Sequence, residues 1–395
     1  MRQFISEFKN FFRRGDMVLL FLCVGTSAFG CLVIASATNH MGYTRYVAVQ
    51  IFAILAGILC YAIVSSIDIR GIAERRGWLV LFNTVLLMLL LTPFGIEVNG
   101  NRSWLHFPFL PFNIQPAEFC KITYVIIMAS VMYTYQDRVS SLRSVFKMAF
   151  HLALVAGLNV VVSSDAGVSL IFVFIFLIMA FAGGVKMIWF LLGGGVVAAA
   201  VPFIWTYGMQ EYQRRRIEVL FNPEIDPLGM DERYQMLRSL RSLNGGGMTG
   251  QGLFNGHRTQ AGALVAQHTD FVFSAIGEEM GYLGCVLVIV MLLLIIIRCI
   301  QVGTRTPDYM RKLVCFGAAG ALIFQTLSNV GMCMGVTPVI GLTLPFISYG
   351  GSSILSMFIM MGLVSGVHAR PTRPIHERYI QPPIGMGYDD IEEKM

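Results

Sequence analysis

Charged side chains are scarce in this sequence. Asp, Glu, Lys and Arg make up 13% of its 395 residues, against roughly a quarter in a soluble globular domain. That shortage excludes an ordinary water-soluble globule. Paired cysteines are missing too. The eight cysteines, at 23, 31, 60, 120, 285, 299, 315 and 333, lie in or beside apolar segments and show no CxxC or Cys/His spacing. A disulfide framework and a zinc site are therefore not expected, and the thiols read as small apolar packing residues. No cleavable signal is evident, because Met1 to Asp16 is basic and the apolar run behind it is long enough to span. The glycine-rich run from Gly245 lacks P-loop spacing.

Apolar sequence is abundant instead. Hydrophobic residues reach 55% and mean hydropathy is +0.67. Ten segments, near 17–37, 46–66, 77–93, 117–134, 147–163, 168–184, 187–205, 273–299, 313–333 and 348–368, are long enough to cross roughly 30 Å of hydrocarbon. The expected fold is all-α: a polytopic membrane protein with ten transmembrane helices over 17–369, an interfacial segment 1–16 and a polar tail 370–395. Phe4, Phe8, Phe11 and Phe12 share one helical face beside Arg2, Lys9, Arg13 and Arg14, which suits a short interfacial helix. Lys and Arg in the links after the even-numbered spans place both termini in the cytoplasm. The large loop 206–272, between helices 7 and 8, is then extracytoplasmic, and a loop that long is largely exempt from the positive-inside rule. A net charge of +6 distributed in this way points to membrane lipid and not to nucleic acid.

The polar residues gather toward one side. Pro116 suits the first turn of the fourth helix, and Glu118 and Lys121 follow at i and i+3 on one face. Ionisable residues in a span are costly and face a cavity or a partner, or else neutralise one another near the interface. Asp165, in the turn Ser163 to Gly167, reads by itself as a helix cap. In the large loop, residues 210–221 and the stretch after Asp231 are amphipathic helices suited to the membrane surface or the top of the bundle. Arg214, Arg215, Arg216, Arg233, Arg238, Arg241 and Arg258 make the loop a basic canopy, for an anionic ligand or for lipid headgroups. The glycine run could bring backbone N–H groups to a phosphate. Asp270, Glu278 and Glu279 stand where the loop returns to the bilayer. Position alone leaves Asp270 open between helix cap and general base. Gln325 and Asn329 fall in the last two spans, and Phe346 to Ser353 offers small and hydroxyl residues for close packing or a polar cleft.

Several of these residues occur in a recognisable order. Asn101-Arg102-Ser103-Trp104 is followed by Gln115-Pro116-Ala117-Glu118-Phe119-Cys120-Lys121. Then come Tyr212-Gln213, Arg216-Ile217, Phe221-Asn222-Pro223, Asp226-Pro227, Gly229 and Tyr234-Gln235. HTDFVFSAIGEEMGYLG and NVGMCMGVTPVIGLTLPFISYGGSS complete the set. Together they resemble the RodA/FtsW/SpoVE (SEDS) family of shape, elongation, division and sporulation proteins, across essentially all ten spans. The resemblance implies a peptidoglycan glycosyltransferase of the bacterial cytoplasmic membrane. Such proteins transfer the growing glycan from undecaprenyl pyrophosphate onto lipid II at the outer face, usually beside a class B penicillin-binding protein transpeptidase. It further implies that Asp270 is the catalytic residue, with Glu118 and Lys121 as the family's membrane acid and base and Asp165 in its acidic turn. Substrate contacts are expected at Arg102, Glu118, Lys121, Asp165, Arg216, Arg258, His268, Ser348 and Gly350. Two departures stand out. Ser164 replaces the family's proline, and Val265-Ala266 replace a proline and an acid ahead of His-Thr-Asp.

Glycosyl transfer from a pyrophosphate needs a base for the acceptor hydroxyl and positive charge for the leaving group. Asp270 would supply the first, and the arginines or a divalent cation (Mg or Mn) the second; no organic cofactor is expected. Two rivals are a lipid II flippase and an inactive scaffold for a cell-wall synthesis complex. A transporter should show repeated halves and broken helices, and the sequence suggests neither. The short tails point mildly to the RodA-like side.

Overall fold

The computed structural model describes residues 14–98, 101–227, 230 and 233–370. The interfacial segment through Arg13, Gly229, the Asp231 cap and the tail beyond Arg370 lie outside the described residues. The chain is predominantly helical. In order it forms α1 (Met17–Ala37), α2 (Thr44–Ser66), α3 (Ile69–Glu74), α4 (Arg76–Met88), α5 (Pro116–Thr134), α6 (Leu142–Ser163), α7 (Ala166–Ala182) and α8 (Met187–Phe203). The large loop holds α9 (Glu211–Phe221), α10 (Tyr234–Gly246) and α11 (His257–Gln260). Three long helices close the chain: α12 (Val272–Arg305), α13 (Tyr309–Cys333) and α14 (Gly351–Ala369). Among the described residues, eight helices, α1, α2, α5, α6, α8 with its continuation to Gly208, α12, α13 and α14, are long and apolar enough to cross a membrane. The other two expected spans correspond to shorter apolar helices, Arg76–Leu91 and Ala166–Ala182.

The all-α expectation needs one correction. Gly95–Val98 (β1) and Asn101–Leu105 (β2) pair antiparallel, with Ile96 opposite Trp104. Ile96, Val98 and Trp104 are strand formers, and the adjoining stretch returns as an isolated bridge between Leu105 and Ile114. This ribbon covers the end of the bundle at which α5 begins.

Small residues set a close helix approach between α2 and α14. A Cβ added at Gly362 would fall 2.9 Å from the Tyr61 carbonyl oxygen, and one at Gly57 would strike the Phe358 ring at 2.7 Å. Close approach through glycine is how helices gain van der Waals contact where lipid supplies no hydrophobic drive. The end of the bundle away from the ribbon is tied by ion pairs. Arg298 holds Asp16 through two bonds of 2.8 and 3.0 Å, Arg311 reaches Asp68 at 3.1 Å, and Arg70 pairs with Asp308.

α12 is broken at Gly281, where the backbone turns to φ 66°, ψ −162°. The break was not legible in the sequence, and its repair accounts for the glycine-rich run. Tyr282 and Leu283 donate to the Gly247 and Met248 carbonyls at 2.9 and 3.2 Å, not to the preceding helical turn. The released carbonyls of Glu278 and Glu279 accept from Gln251 and Gly252 at 3.0 and 2.9 Å. Four backbone bonds thus stitch the loop into the helix. The N–H groups of Gln251 and Gly252, expected to be available to a phosphate, are engaged here. Both buried glutamates serve the same seam. Glu278 accepts from the Arg258 and Thr259 N–H groups at 2.7 and 3.1 Å, and Glu279 from Ser36 and Gln260 at 2.7 and 2.9 Å. α10 lies over the bundle, its Ser239 fully buried against Ser274 and the Cys333 carbonyl.

Gly250 tests the stitch. Its φ is +82°, and an added Cβ would lie 2.1 Å from the Glu279 carbonyl oxygen. Gly250→Ala should therefore cost at least about 2 kcal/mol, from left-handed strain and displaced hydrogen bonds. Thermal unfolding in detergent measures this, and an unchanged midpoint would show that the stitch does not hold the loop.

Candidate active site

A cavity of about 790 Å³ opens under the ribbon. Its walls are β2, the first turns of α5, α7 and α14, the segment before α12, and the link 340–343. Three carboxylates line it: Glu118, Asp165 and Asp270. Each is held differently.

Asp270 is fixed through its backbone, which leaves its side chain to the cavity. Asn329 donates Nδ2 to the Asp270 carbonyl at 2.8 Å and to the Leu342 carbonyl at 2.6 Å. One residue earlier the buried Ser348 hydroxyl donates to the Thr269 carbonyl at 2.6 Å, and Tyr349 N–H reaches the His268 carbonyl at 2.8 Å. The cap reading fails on geometry. The N-cap of α12 is Phe271, with no side-chain capping bond. Burial pushes the Asp270 carboxyl up to about 6; the Thr269 hydroxyl offsets part of this and the Asp165 charge adds to it.

Asp165 does cap a helix, accepting from Val168 N–H at 3.0 Å, with Ser103 Oγ 3.5 Å away on the cavity side. Its carboxyl is also raised, chiefly by burial. The preceding Ser164 sits at φ +59°, a left-handed conformation closed to proline, whose ring fixes φ near roughly −65°. Glu118 is 3% exposed and paired with the fully buried Lys121 at 2.9 Å, while Ser356 of α14 donates to its other oxygen. The ion pair thus belongs to the cavity wall, with Lys121 behind Glu118.

The remaining expected contacts divide. Gly350 lines the cavity and Ser348 shapes it from behind. His268 is outside the lining and stacks edge-on against Tyr46 and at 5.6 Å from Tyr349. Burial, followed by the nearby His40, lowers its pKa. Arg102, Arg216 and Arg258 do not line the cavity. Arg102 binds the Thr92 carbonyl at 3.0 Å, Arg216 the Val339 carbonyl at 3.4 Å and Arg258 the Ser242 hydroxyl at 3.2 Å. Arg214 and Arg238 likewise bind loop carbonyls, of Met209 and Ala263. Much of the expected basic canopy is internal bracing. The guanidinium that does line the cavity, among the described residues, is Arg45, which sequence reasoning missed. It stands in the first turn of α2 after the polar run 38–44, and no motif marks it.

The arrangement has known counterparts. The family model described as "Cell cycle protein" for FtsW, RodA and SpoVE matches residues 16–373. The chain belongs to this family. It is 31% identical over 363 residues to the probable peptidoglycan glycosyltransferase FtsW of Trichlorobacter lovleyi, covering 90% of this chain and 93% of that one. It is 28% identical to the peptidoglycan glycosyltransferase MrdB of Escherichia coli K12, covering 89% and 93%. Its fold is similar to that of a chain in a structure described as a peptidoglycan synthase complex coordinating polymerization and crosslinking. There the TM-score is 0.75 at 28% identity, over 93% of this chain and 99% of that one. RodA of Thermus thermophilus gives 0.67 at 26%, over 91% and 98%.

The raised Asp270 carboxyl has a consequence for stability. A folded-state value near 6 lies above the roughly 3.9 of an unfolded Asp. Its favourable contribution is present below the unfolded value and is lost as pH rises through about 6. Asp270→Asn should therefore melt higher than the parent at pH 7.5, with the gap closing below about pH 4. Melting curves against pH decide this; an Asn variant that melts lower at pH 7.5 contradicts the desolvated carboxylate.

Proposed function

We propose that this chain is a peptidoglycan glycosyltransferase that extends glycan on lipid II, with Asp270 as the general base. The carrying observation is a carboxylate clamped by its own backbone, raised to about 6 and facing a cavity of about 790 Å³. A base with a pKa near the working pH is deprotonated yet still a competent proton acceptor. It would take the proton of the acceptor hydroxyl as that oxygen attacks the anomeric carbon of the growing chain. The bond to the polyprenyl pyrophosphate then breaks, and the leaving phosphate carries the electron pair. Arg45 at the cavity is placed to meet that charge.

Among the described residues no three His, Cys, Asp or Glu converge on a metal site. Mg²⁺ needs only one or two carboxylates when a substrate pyrophosphate supplies further oxygens, so Asp270 and Asp165 fit an Mg²⁺ or Mn²⁺ that arrives with the substrate. When bound, the ion would supply further charge for the leaving group. A flippase is less well supported. Val125, Met128 and Leu322, on the helices that carry Glu118 and Gln325, are buried, and the far end is tied by the three ion pairs.

For topology we propose ten spans with both termini in the cytoplasm and 206–272 outside. Arg76–Leu91 would be about 24 Å long, so it would cross with the ribbon covering its outer end. Ser239, buried, is unsuited to a labelling test; Phe221, 84% exposed, is suited. A cysteine introduced as Phe221→Cys should react with impermeant reagent from the outer face, and labelling from inside alone would reverse the topology. We further propose a class B penicillin-binding protein as partner, supported by the family resemblance and by the similarity to a synthase-complex chain.

The decisive test uses Asp270→Asn, purified in detergent and given lipid II directly, so that no flipping is needed. General-base assistance is typically worth about 10²–10⁴ in rate. Polymerisation should fall at least 100-fold by this measure while the protein melts no lower than the parent. Long strands made at the parental rate would remove Asp270 from catalysis.

A further inference from the structure

One polar side chain in the cavity wall has both its donor and its acceptor unaccounted for among the described residues. Gln325, on α13, lines the cavity and is 1% exposed, yet neither its Nε2 nor its Oε1 has a hydrogen-bond partner among the described residues. Glu118, Asp165 and Asn329 around it each have a partner, although Asn329 Oδ1 has none among the described residues. Glu118 has Lys121 and Ser356, Asp165 has Val168, and Asn329 Nδ2 holds two carbonyls. An unpaired amide in a low-dielectric interior is destabilising, and an apolar residue of the same shape would remove that cost. Such a group is retained at a cost unless something outside the protein completes it.

Its place on the helix narrows what that could be. Asn329, which fixes the Asp270 carbonyl, is four residues further along α13, about 5–6 Å away on the same face. Gln325 thus stands about one sugar ring from the segment that carries Asp270. A primary amide offers one donor edge beside one acceptor edge. An N-acetylated glycan complements both, its acetyl carbonyl accepting from the donor edge and a ring hydroxyl donating to the acceptor edge. A hydroxyl satisfies either edge alone, a phosphate repels Oε1, and a polyprenyl chain satisfies neither.

We propose that Gln325 reads the 2-acetamido group of the substrate sugar, Nε2 donating to the acetyl carbonyl while Oε1 accepts from a hydroxyl of the same glycan. This rests on the reading of the chain as a polymerase of N-acetylated glycan. The acetamido group is carried on the carbon next to the anomeric carbon. A reader one ring's width from Asp270 meets it while the anomeric carbon faces the hydroxyl to be deprotonated. Gln325 is then a specificity residue, apart from the proton transfer itself.

The test compares lipid II with a lipid II whose 2-acetamido groups are replaced by free amines, using the full-length purified protein. A site that hydrogen-bonds a substrate group rejects the analogue lacking it, so the parent should favour the acetylated substrate by at least about 10-fold in kcat/KM. Gln325→Met keeps the length and removes both edges. It should compress that preference to within about three-fold of unity and melt no lower than the parent. A preference unchanged in Gln325→Met, or absent in the parent, overturns the proposal while leaving the polymerase reading intact. A lower melting point with the preference unchanged would mark Gln325 as structural, and also overturns it. A parent that polymerises neither substrate overturns both.

Discussion

Four backbone hydrogen bonds at Gly281 hold the functional half of this molecule together. A helix cannot be interrupted in an apolar medium unless its freed carbonyls and N–H groups find new partners. Here 247–252 supplies all four. Everything between the seam and α12 then hangs on the helix it interrupts. Glu278 anchors the start of α11 and Glu279 binds Ser36 at the end of α1. Gln267 reaches back to the Ala37 and Thr259 carbonyls at 2.7 and 2.8 Å. Asp270 comes three residues later, already confined from α1, α11 and α12 before Asn329 fixes its carbonyl from α13.

The cavity balances its charges on that scaffold. Three carboxylates facing one another would repel and hold one another protonated. Lys121 cancels Glu118 within the wall, and Asp165 is stabilised by the α7 N-terminus it caps. Asp270 is left as the carboxylate with least local support, and its raised pKa follows. The Ala266 departure fits this balance. Ala266 lines the cavity, so the acid that the family commonly carries there would add a fourth negative group beside Asp270. Without it, Asp270 has one fewer competitor for charge.

The sequence made some of this legible because the signals were chemical and local. Glu118 and Lys121 were visible as charges in an apolar span, Asp165 and Asp270 through the family resemblance, and all four belong to the cavity or its wall. The arginines misled, because the partners of Arg102, Arg214, Arg216 and Arg238 are backbone carbonyls, which every residue possesses and no pattern marks. Glu278 and Glu279 have partners just as distant: loop N–H groups use the first, and the Ser36 hydroxyl and Gln260 amide use the second. The ribbon at 95–105 was hidden in a segment rich in Pro and aromatics. Arg45 is brought to the site from α2 by tertiary folding alone, and that distance along the chain carries no signal.

A scaffold without catalysis would be under different physical constraints. It would need the interfaces and the helix packing, and both would survive if the cavity were filled with apolar side chains. This cavity instead keeps a carboxylate whose ionisation costs stability at neutral pH and an amide with neither edge satisfied. Replacing either by an apolar or neutral group of similar shape should make the fold easier to hold. Unfavourable groups gathered in one cavity, on a backbone fixed from four helices, are the arrangement expected of preorganised chemistry. That concentration of cost at one place, together with retained Asp270, is the physical argument against the scaffold reading.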